Sequence, residues 1–302
     1  MVTEPKQPPA IEFRHVSLCF DEKLALDDIS FDLGQGEMMF LTGASASGKS
    51  VLTHLAMGLL KPDEGQIFIE GREIVALDES ELVEMRGRGM GIVFQEDSLF
   101  TGLTAYDNAA YRLDEHGVEE DETEREVLEV LRFVGLDQDA EKFPEELSGG
   151  MRRRLEIARA LIGWPAIMLF DEPTSSLDPI SAEKVLDLII RARDIQRMSS
   201  IYVTKKLHEI PYLATHHAIA RPDGTVTIND VSSKIVAAPR TKVMVLDAGR
   251  IVFTGTVAEF EASTLPALTR LTRADNGTTF SDFYTPDPWD KGRRPKETIL
   301  GR

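Results

Sequence analysis

At 302 residues with 42% hydrophobic content, the chain can bury a substantial core, as one large domain with extensions or as two domains. A net charge of −17 argues against a nucleic-acid partner, because phosphate-backbone binding is driven by Lys and Arg. Cys19 is the sole cysteine, which excludes an intrachain disulfide and a cysteine metal cluster, and no run of 18 apolar residues exists to span a bilayer.

The first ten residues, MVTEPKQPPA, lack the apolar core of a signal peptide and read as a short flexible lead. The expected location is therefore the cytoplasm, with any membrane attachment made through a partner. Alternating apolar and polar positions, punctuated by Gly34 and Gly36, predict strands near 11–19, 26–32 and 37–42. A helix follows over 48–60, closed by KPDEG, then strands at GQIFIEG (65–71) and MGIVFQ (90–95). Residues 103–163 are mainly helical by pattern, and their acidic run DEHGVEEDETEREVLE (114–129) reads as a solvated helix face. Beyond lie a buried strand in AIMLFDEP (166–173), a helix over 179–195 and another strand in SIYVT (200–204). Alternation of strand and helix implies an α/β fold with a parallel sheet. Two hairpins are predicted, one over 217–230 turning at Pro222-Asp223-Gly224, the other over 242–255 turning near Ala248-Gly249. The tail past 274 is polar and aperiodic, and either docks on a partner through Phe280, Phe283, Tyr284 and Trp289 or is disordered.

Three stretches carry chemistry. The loop Gly43-Ala44-Ser45-Ala46-Ser47-Gly48-Lys49-Ser50 fits G-x-x-x-x-G-K-[ST], and it has the required context of a strand before it and a helix after it. Its glycines let backbone N–H groups wrap phosphates, Lys49 can reach β- and γ-phosphate oxygens, and the Ser50 hydroxyl can ligate Mg²⁺. IMLFDEP delivers Asp171 to the carboxyl end of a buried strand, where it would hold Mg²⁺, with Glu172 next to it as base for an attacking water. In ELSGGMRRRLEIARAL (146–161), Ser148, Gly149 and Gly150 open a helix and form a second phosphate-binding surface. One nucleotide does not need two such surfaces from one chain, so the pair points to two nucleotides shared across a dimer.

These motifs, in this order, resemble those of the ABC transporter ATPases, and the resemblance covers residues 11–262. It implies a P-loop NTPase cassette with a mixed sheet core, an antiparallel β part and a helical subdomain over 96–163. It also implies ATP and Mg²⁺ as cofactors, a homodimer and an integral-membrane permease as partner. Phe20 falls where the family stacks an aromatic on adenine, Gln95 on its Mg²⁺- and water-contacting glutamine, and Asp178, in SSLD, on the acid of the segment crossing the dimer interface. Two departures stand out: Ala46 replaces a common glycine, and Val51 follows GKS where many members have threonine. The two hairpins resemble each other weakly, so residues 217–241 are either an inserted hairpin or a chance likeness, and 263–302 read as a C-terminal extension, partner-docking or disordered.

GKSVL, FQEDSLFTGLTAYDNAAYRLDEHG (94–117) and LSGGMRRR further resemble the ATPases of Mla/Mce lipid-transport systems, which implies an MCE-type phospholipid-handling protein as a further partner, while the tail, where it docks, would lie across the second subunit or a small accessory protein. Another cargo, such as a lipoprotein or drug, and a soluble ABC protein of translation or repair are the rival readings. The single phosphate loop, the lack of sustained heptads and the acidic charge disfavour the soluble class. In the family, the strand after the Glu172 helix ends in a histidine that reads the γ-phosphate. In IYVTKKLHEI that place falls on Lys205, with His208 as substitute or solvent as the side chain's destination.

Overall fold

The computed structural model describes residues 7–21, 23–221, 225–230, 241–265, 271 and 297–298. The chain divides into two compact units, one of residues 1–75 with 189–302, the other of residues 76–188.

The first unit opens with β1 (Ile11–Phe20) and β2 (Lys23–Leu33), an antiparallel pair, and β4 (Glu64–Ile69) lies on the other side of β1 with the short β5 (Arg72–Glu73) beyond it. Between β2 and β4 in the sequence comes β3 (Met38–Gly43), a strand of a different sheet, every residue of which is buried. An MMFLTG strand with no polar side can only sit inside a sheet covered on both faces. Burial of Met38, Met39, Phe40 and Leu41, each 0% exposed, contributes about 1.5–3 kcal/mol per side chain. Helix α1 (Lys49–Ala56) follows the end of this strand after the loop of residues 44–48 and is shorter than the 48–60 segment predicted, because Gly58 turns the chain at φ 64°.

The second unit contains α2 (Glu79–Gly89), β6 (Met90–Val93), α3 (Ala105–Glu115), α4 (Glu120–Val134), α5 (Gly149–Leu161) and β7 (Ile167–Asp171), with β6 and β7 parallel. The region expected to be helical, 96–163, falls within this unit. In α4 the acids face solvent while Val127, Val130, Leu131 and Val134 are buried, so the acidic run is a solvated face. Helix α6 (Pro179–Gln196) then returns the chain to the first unit.

There β8 (Ser199–Val203) pairs parallel with β3, followed by α7 (Glu209–Thr215) and the hairpin of β9 (His216–Ala220) and β10 (Val226–Asp230). The hairpin is as the sequence reads, but its turn, Pro222-Asp223-Gly224, lies outside the described residues. Its base is held by Arg193, whose guanidinium donates to the carbonyls of Leu213 and His216 and pairs with Asp194, which in turn accepts from the Ala218 N–H at 2.8 Å. The second hairpin, β11 (Thr241–Asp247) and β12 (Arg250–Gly255), turns through Ala248 and Gly249 as predicted, and β11 lies parallel to β3. Within this unit the sheet order β12-β11-β3-β8 places β3 at the centre of a mixed sheet. Helix α8 (Val257–Glu261) follows, and β13 (Glu297–Thr298) pairs with β10. The tail aromatics Phe280, Phe283, Tyr284 and Trp289 lie outside the described residues.

Candidate functional site

In the first unit, the candidate loop leaves β3 at Gly43, which pairs with Leu246 of β11. Gly43 has φ 152°, and a Cβ there would lie 2.1 Å from the Leu246 carbonyl oxygen and 2.8 Å from Ser47 Oγ. Gly48, at φ 103°, passes so close to β2 that a Cβ would meet the Ala25 oxygen at 2.7 Å. These two positions fix the path of the loop, and only glycine fits either. Between them Ala46 sits at φ 59°. That left-handed backbone explains why a glycine is common there, and the alanine holds it at about 1–2 kcal/mol.

The loop ends as the start of α1, whose first turn carries no acidic side chain and no side-chain cap on Gly48. The N-terminal end of the helix, with its positive dipole, is thus not offset by a carboxylate of its own first turn, which suits it to an anion. Lys49 is buried and its Nζ donates to the Gly43 and Ala44 carbonyls at 2.9 and 2.7 Å, which packs a cation against the loop. Ala44, Ser45 and Ala46 are exposed, Ser47 is buried, and Ser50 and Val51 are half-buried in the first turn. A glycine-bounded loop that carries a lysine and a serine hydroxyl into an acid-free helix start matches the chemistry of a nucleotide's phosphates. Phe20, where β1 ends, is 45% exposed, so it is not a core residue and presents its ring to solvent.

Lys205 belongs to the same edge of the sheet. Val203 is in register with Leu41, and the Thr204 N–H donates to the Leu41 oxygen at 3.1 Å, so the chain leaves β8 beside the strand end that becomes the loop. Lys205 and His208 are both exposed. The turn between them is set by Glu209, buried, which accepts from Tyr202 Oη at 2.8 Å and Thr204 Oγ1 at 2.7 Å. That buried carboxylate is not legible as a site element in the sequence, although a Tyr–Thr pair on one strand face followed by Glu at a helix start is a signal for it.

In the second unit, β7 is buried throughout and ends in Asp171, 3% exposed. Glu172 follows in the left-handed region at φ 47° and is half-buried; its carbonyl accepts from the Ser175 N–H at 3.0 Å. Asp178 is exposed and caps α6, accepting from the Ile180 and Ser181 N–H groups at 3.1 and 3.0 Å; the Ser181 hydroxyl and N–H hold its carboxyl below the usual carboxylate range. Ser148 caps α5 by accepting from the Met151 N–H at 3.3 Å, and both Ser148 and Gly149 are exposed, while Gly150 packs near Ser181. Gln95 is exposed in an irregular segment after β6. Among the described residues no group of three or more His, Cys, Asp or Glu side chains could hold a metal by itself. Gln95 and Asp171 here, and Ser50 in the first unit, each offer a side-chain oxygen of the kind Mg²⁺ takes.

Residues of α5 that the sequence presents only as part of an Arg-rich stretch reach the Gln95 segment. Arg153 and Glu156 are both buried and pair at 2.6 Å. Burial pushes the Glu156 carboxyl up to about 7, outweighing the attraction of Arg153 and the hydrogen bond from the Ser98 N–H. The folded chain therefore keeps this proton up to about pH 7, whereas the unfolded chain releases it near 4.5. Stability should fall as pH rises between those values and level off above, by at most about 3 kcal/mol from this group. Urea unfolding of the parent and of Glu156→Gln from pH 5 to pH 8 checks it: the gap should widen with pH in favour of the variant, and a constant gap would contradict the shift.

A model of the ABC transporter family matches residues 26–175. The chain is 37% identical over 252 residues to the methionine import ATP-binding protein MetN of Leifsonia xyli subsp. xyli, covering 82% of this chain and 66% of that protein. It is 35% identical over 216 residues to the glycine betaine/carnitine transport ATP-binding protein GbuA of Listeria monocytogenes, covering 72% of this chain and 54% of that one. The chain thus spans two thirds or less of the length of these curated relatives. In solved structures it is similar to the ATP-binding cassette MJ0796 in a dimeric, post-hydrolysis state bound to ADP and Pi, with a TM-score of 0.67, 26% identity, and coverage of 82% of this chain and 98% of that one.

Proposed function

Because the chain belongs to the ABC transporter family of ATP-binding cassettes, we propose that it is the ATP-hydrolysing subunit energising a membrane ABC transporter, working as a homodimer on the cytoplasmic face beneath an integral-membrane permease. The observation that carries the reading is the loop from Gly43 to Ser50, whose path only glycine permits at Gly43 and Gly48 and which leads a buried lysine into an acid-free helix start. Among the described residues no helix is long and apolar enough to cross a membrane, and the proposal assigns the membrane path to the permease.

In this reading Phe20 stacks on adenine, and residues 43–51 bind the phosphates through backbone N–H groups and Lys49. Ser50, Gln95 and Asp171 hold Mg²⁺, whose charge offsets that of the β- and γ-phosphates. Glu172 accepts the proton of the attacking water. Ser148, Gly149, Gly150 and Asp178 face the nucleotide held by the partner subunit, which agrees with the exposure of Ser148, Gly149 and Asp178 in the single chain. Mixing Lys49→Ala chains with Ser148→Arg chains tests the shared sites. Each variant alone should be inactive, and the mixture should recover ATPase because each heterodimer regains one complete site. No recovery in demonstrated heterodimers would contradict the arrangement.

Lys205 donates to a γ-phosphate oxygen in place of the family's histidine. An ammonium has three donors and no acceptor, and such charge-assisted bonds are worth about 1.5–3 kcal/mol. Lys205→Ala should therefore lower turnover roughly ten- to a hundredfold while ADP affinity barely changes. A silent Lys205→Ala with a crippled His208→Ala would assign the role to His208.

For the cargo we propose phospholipid, handled with an MCE-type lipid-binding protein, on the strength of GKSVL, the 94–117 segment and LSGGMRRR. Uptake of an amino acid or betaine-like solute is the second reading, favoured by the names of MetN and GbuA. Stimulation of the reconstituted complex by a phospholipid-loaded binding protein, against one loaded with methionine or glycine betaine, separates the two.

A further inference from the structure

The segment from Phe94 to Ser98 follows β6 without regular structure, so its backbone has no ladder of its own to satisfy it. Helix α5 supplies partners instead. Arg153 Nη1 donates to the Phe94 oxygen at 2.6 Å and Nη2 to the Gln95 oxygen at 2.9 Å. Glu156 Oε1 accepts from the Ser98 N–H at 2.8 Å, and its other oxygen holds Arg153. Arg159 donates to the Ser98 oxygen at 2.7 Å and to Ser98 Oγ at 2.8 Å, and Arg152 Nε lies 3.3 Å from Asp97 Oδ2. Thus three side chains of one helix grip the backbone on either side of Gln95 and a fourth, Arg152, pairs with the Asp97 side chain, while the Gln95 side chain itself is exposed. The same helix begins at Ser148.

A buried Arg–Glu pair is a poor way to gain stability, since well-packed apolar residues commonly do as well or better. Its geometry here does something apolar residues cannot: it fixes the position of two carbonyls and one N–H. We propose that Arg153 and Glu156 are positioning residues that lock the Gln95 segment to helix α5, so that Gln95 and Ser148 move as one body. This rests on the roles given above to Gln95 and Ser148. If Gln95 serves the nucleotide of its own chain and Ser148 that of the partner, the clamp ties the Mg²⁺-contacting group of one site to the phosphate-contacting group of the other. ATP arriving at either site then biases the geometry of both.

A double-mutant cycle on the full-length chain tests this, with Mg²⁺-ATPase as readout. Glu156→Leu should lower kcat roughly tenfold and raise the Mg²⁺ concentration for half-maximal activity at least threefold, with the affinity for a non-hydrolysable ATP analogue within twofold of the parent. Glu156→Gln, which keeps an acceptor for the Ser98 N–H, should retain at least half of the parent kcat. In a Gln95→Ala background, where nothing remains to be positioned, Glu156→Leu should change kcat less than twofold. Losses that multiply in the double variant, or an unchanged Mg²⁺ requirement, overturn the proposal. If Glu156→Leu does not fold, Arg153→Lys replaces it, since one ammonium cannot reproduce the two-carbonyl fork; it should show the same non-additivity with a loss of about threefold. A parent chain with no Mg²⁺-ATPase overturns the function reading and this inference with it, whereas parental turnover with multiplicative losses overturns this inference alone.

Discussion

Glu172→Gln should lower ATP turnover by about 100-fold or more and leave ATP binding intact, because a positioned general base contributes rate rather than affinity. The residue follows the buried strand that ends in Asp171, and it is half-buried with its backbone set in the left-handed region at φ 47°. Glutamine keeps the shape and loses only the ability to take a proton. Binding energy that normally leads to hydrolysis would then accumulate as an ATP-bound dimer, visible as a shift in sedimentation on adding ATP. Steady-state ATPase is the direct check. A variant turning over at the parent rate removes Glu172 from the mechanism and leaves the fold and the loop untouched.

The second large effect belongs to Gly43→Ala. The added methyl would stand 2.1 Å from the Leu246 oxygen, a backbone atom in a paired strand, and 2.8 Å from Ser47 Oγ. Neither neighbour can withdraw cheaply, since Leu246 is in register with Gly43 and Ser47 is buried. The φ of 152° is itself strained for alanine. Strain and overpacking together should cost about 3 kcal/mol or more. The loop must shift to relieve the contact, so nucleotide affinity should fall along with the urea midpoint. An alanine variant that binds nucleotide at parental affinity would show that the loop's path does not determine the site.

Central strands were legible in the sequence: MMFLTG, read from alternation punctuated by glycines, and IMLFD and SSIYV, read as apolar runs, fall within two residues of where their patterns place them. Helix α2 was not. Its sequence ESELVEMRGRG is polar and contains two glycines, and its start is fixed by a capping box in which Asp78 accepts from the Glu81 N–H at 2.9 Å and Glu81 reaches back to the Asp78 N–H. That local signal was present in the letters, but weak periodicity hid it. Helix α7 has too few residues, seven, to show a periodicity, and its Pro211 lies within the first turn, where proline is tolerated. The loop from Gly43 to Ser50 was legible as a candidate phosphate site because its chemistry is local and its spacing strict. The grip of Arg153 and Glu156 on Phe94, Gln95 and Ser98 was not, because it joins residues 58 and 59 positions apart and is decided by packing alone.

The left-handed backbone at Glu172 also bears on how such a chain ages in evolution. Glycine, and to a lesser degree asparagine, sits comfortably at φ 47°, while a glutamate there holds about 1–2 kcal/mol of conformational strain. In the mechanism proposed above, a gene copy released from selection for turnover would relieve this backbone strain by taking glycine or asparagine here, so loss of the base lies in the direction the backbone favours. A lineage that keeps the acid does so against that gradient, and a duplicate cassette drifting toward a purely regulatory life should lose it early.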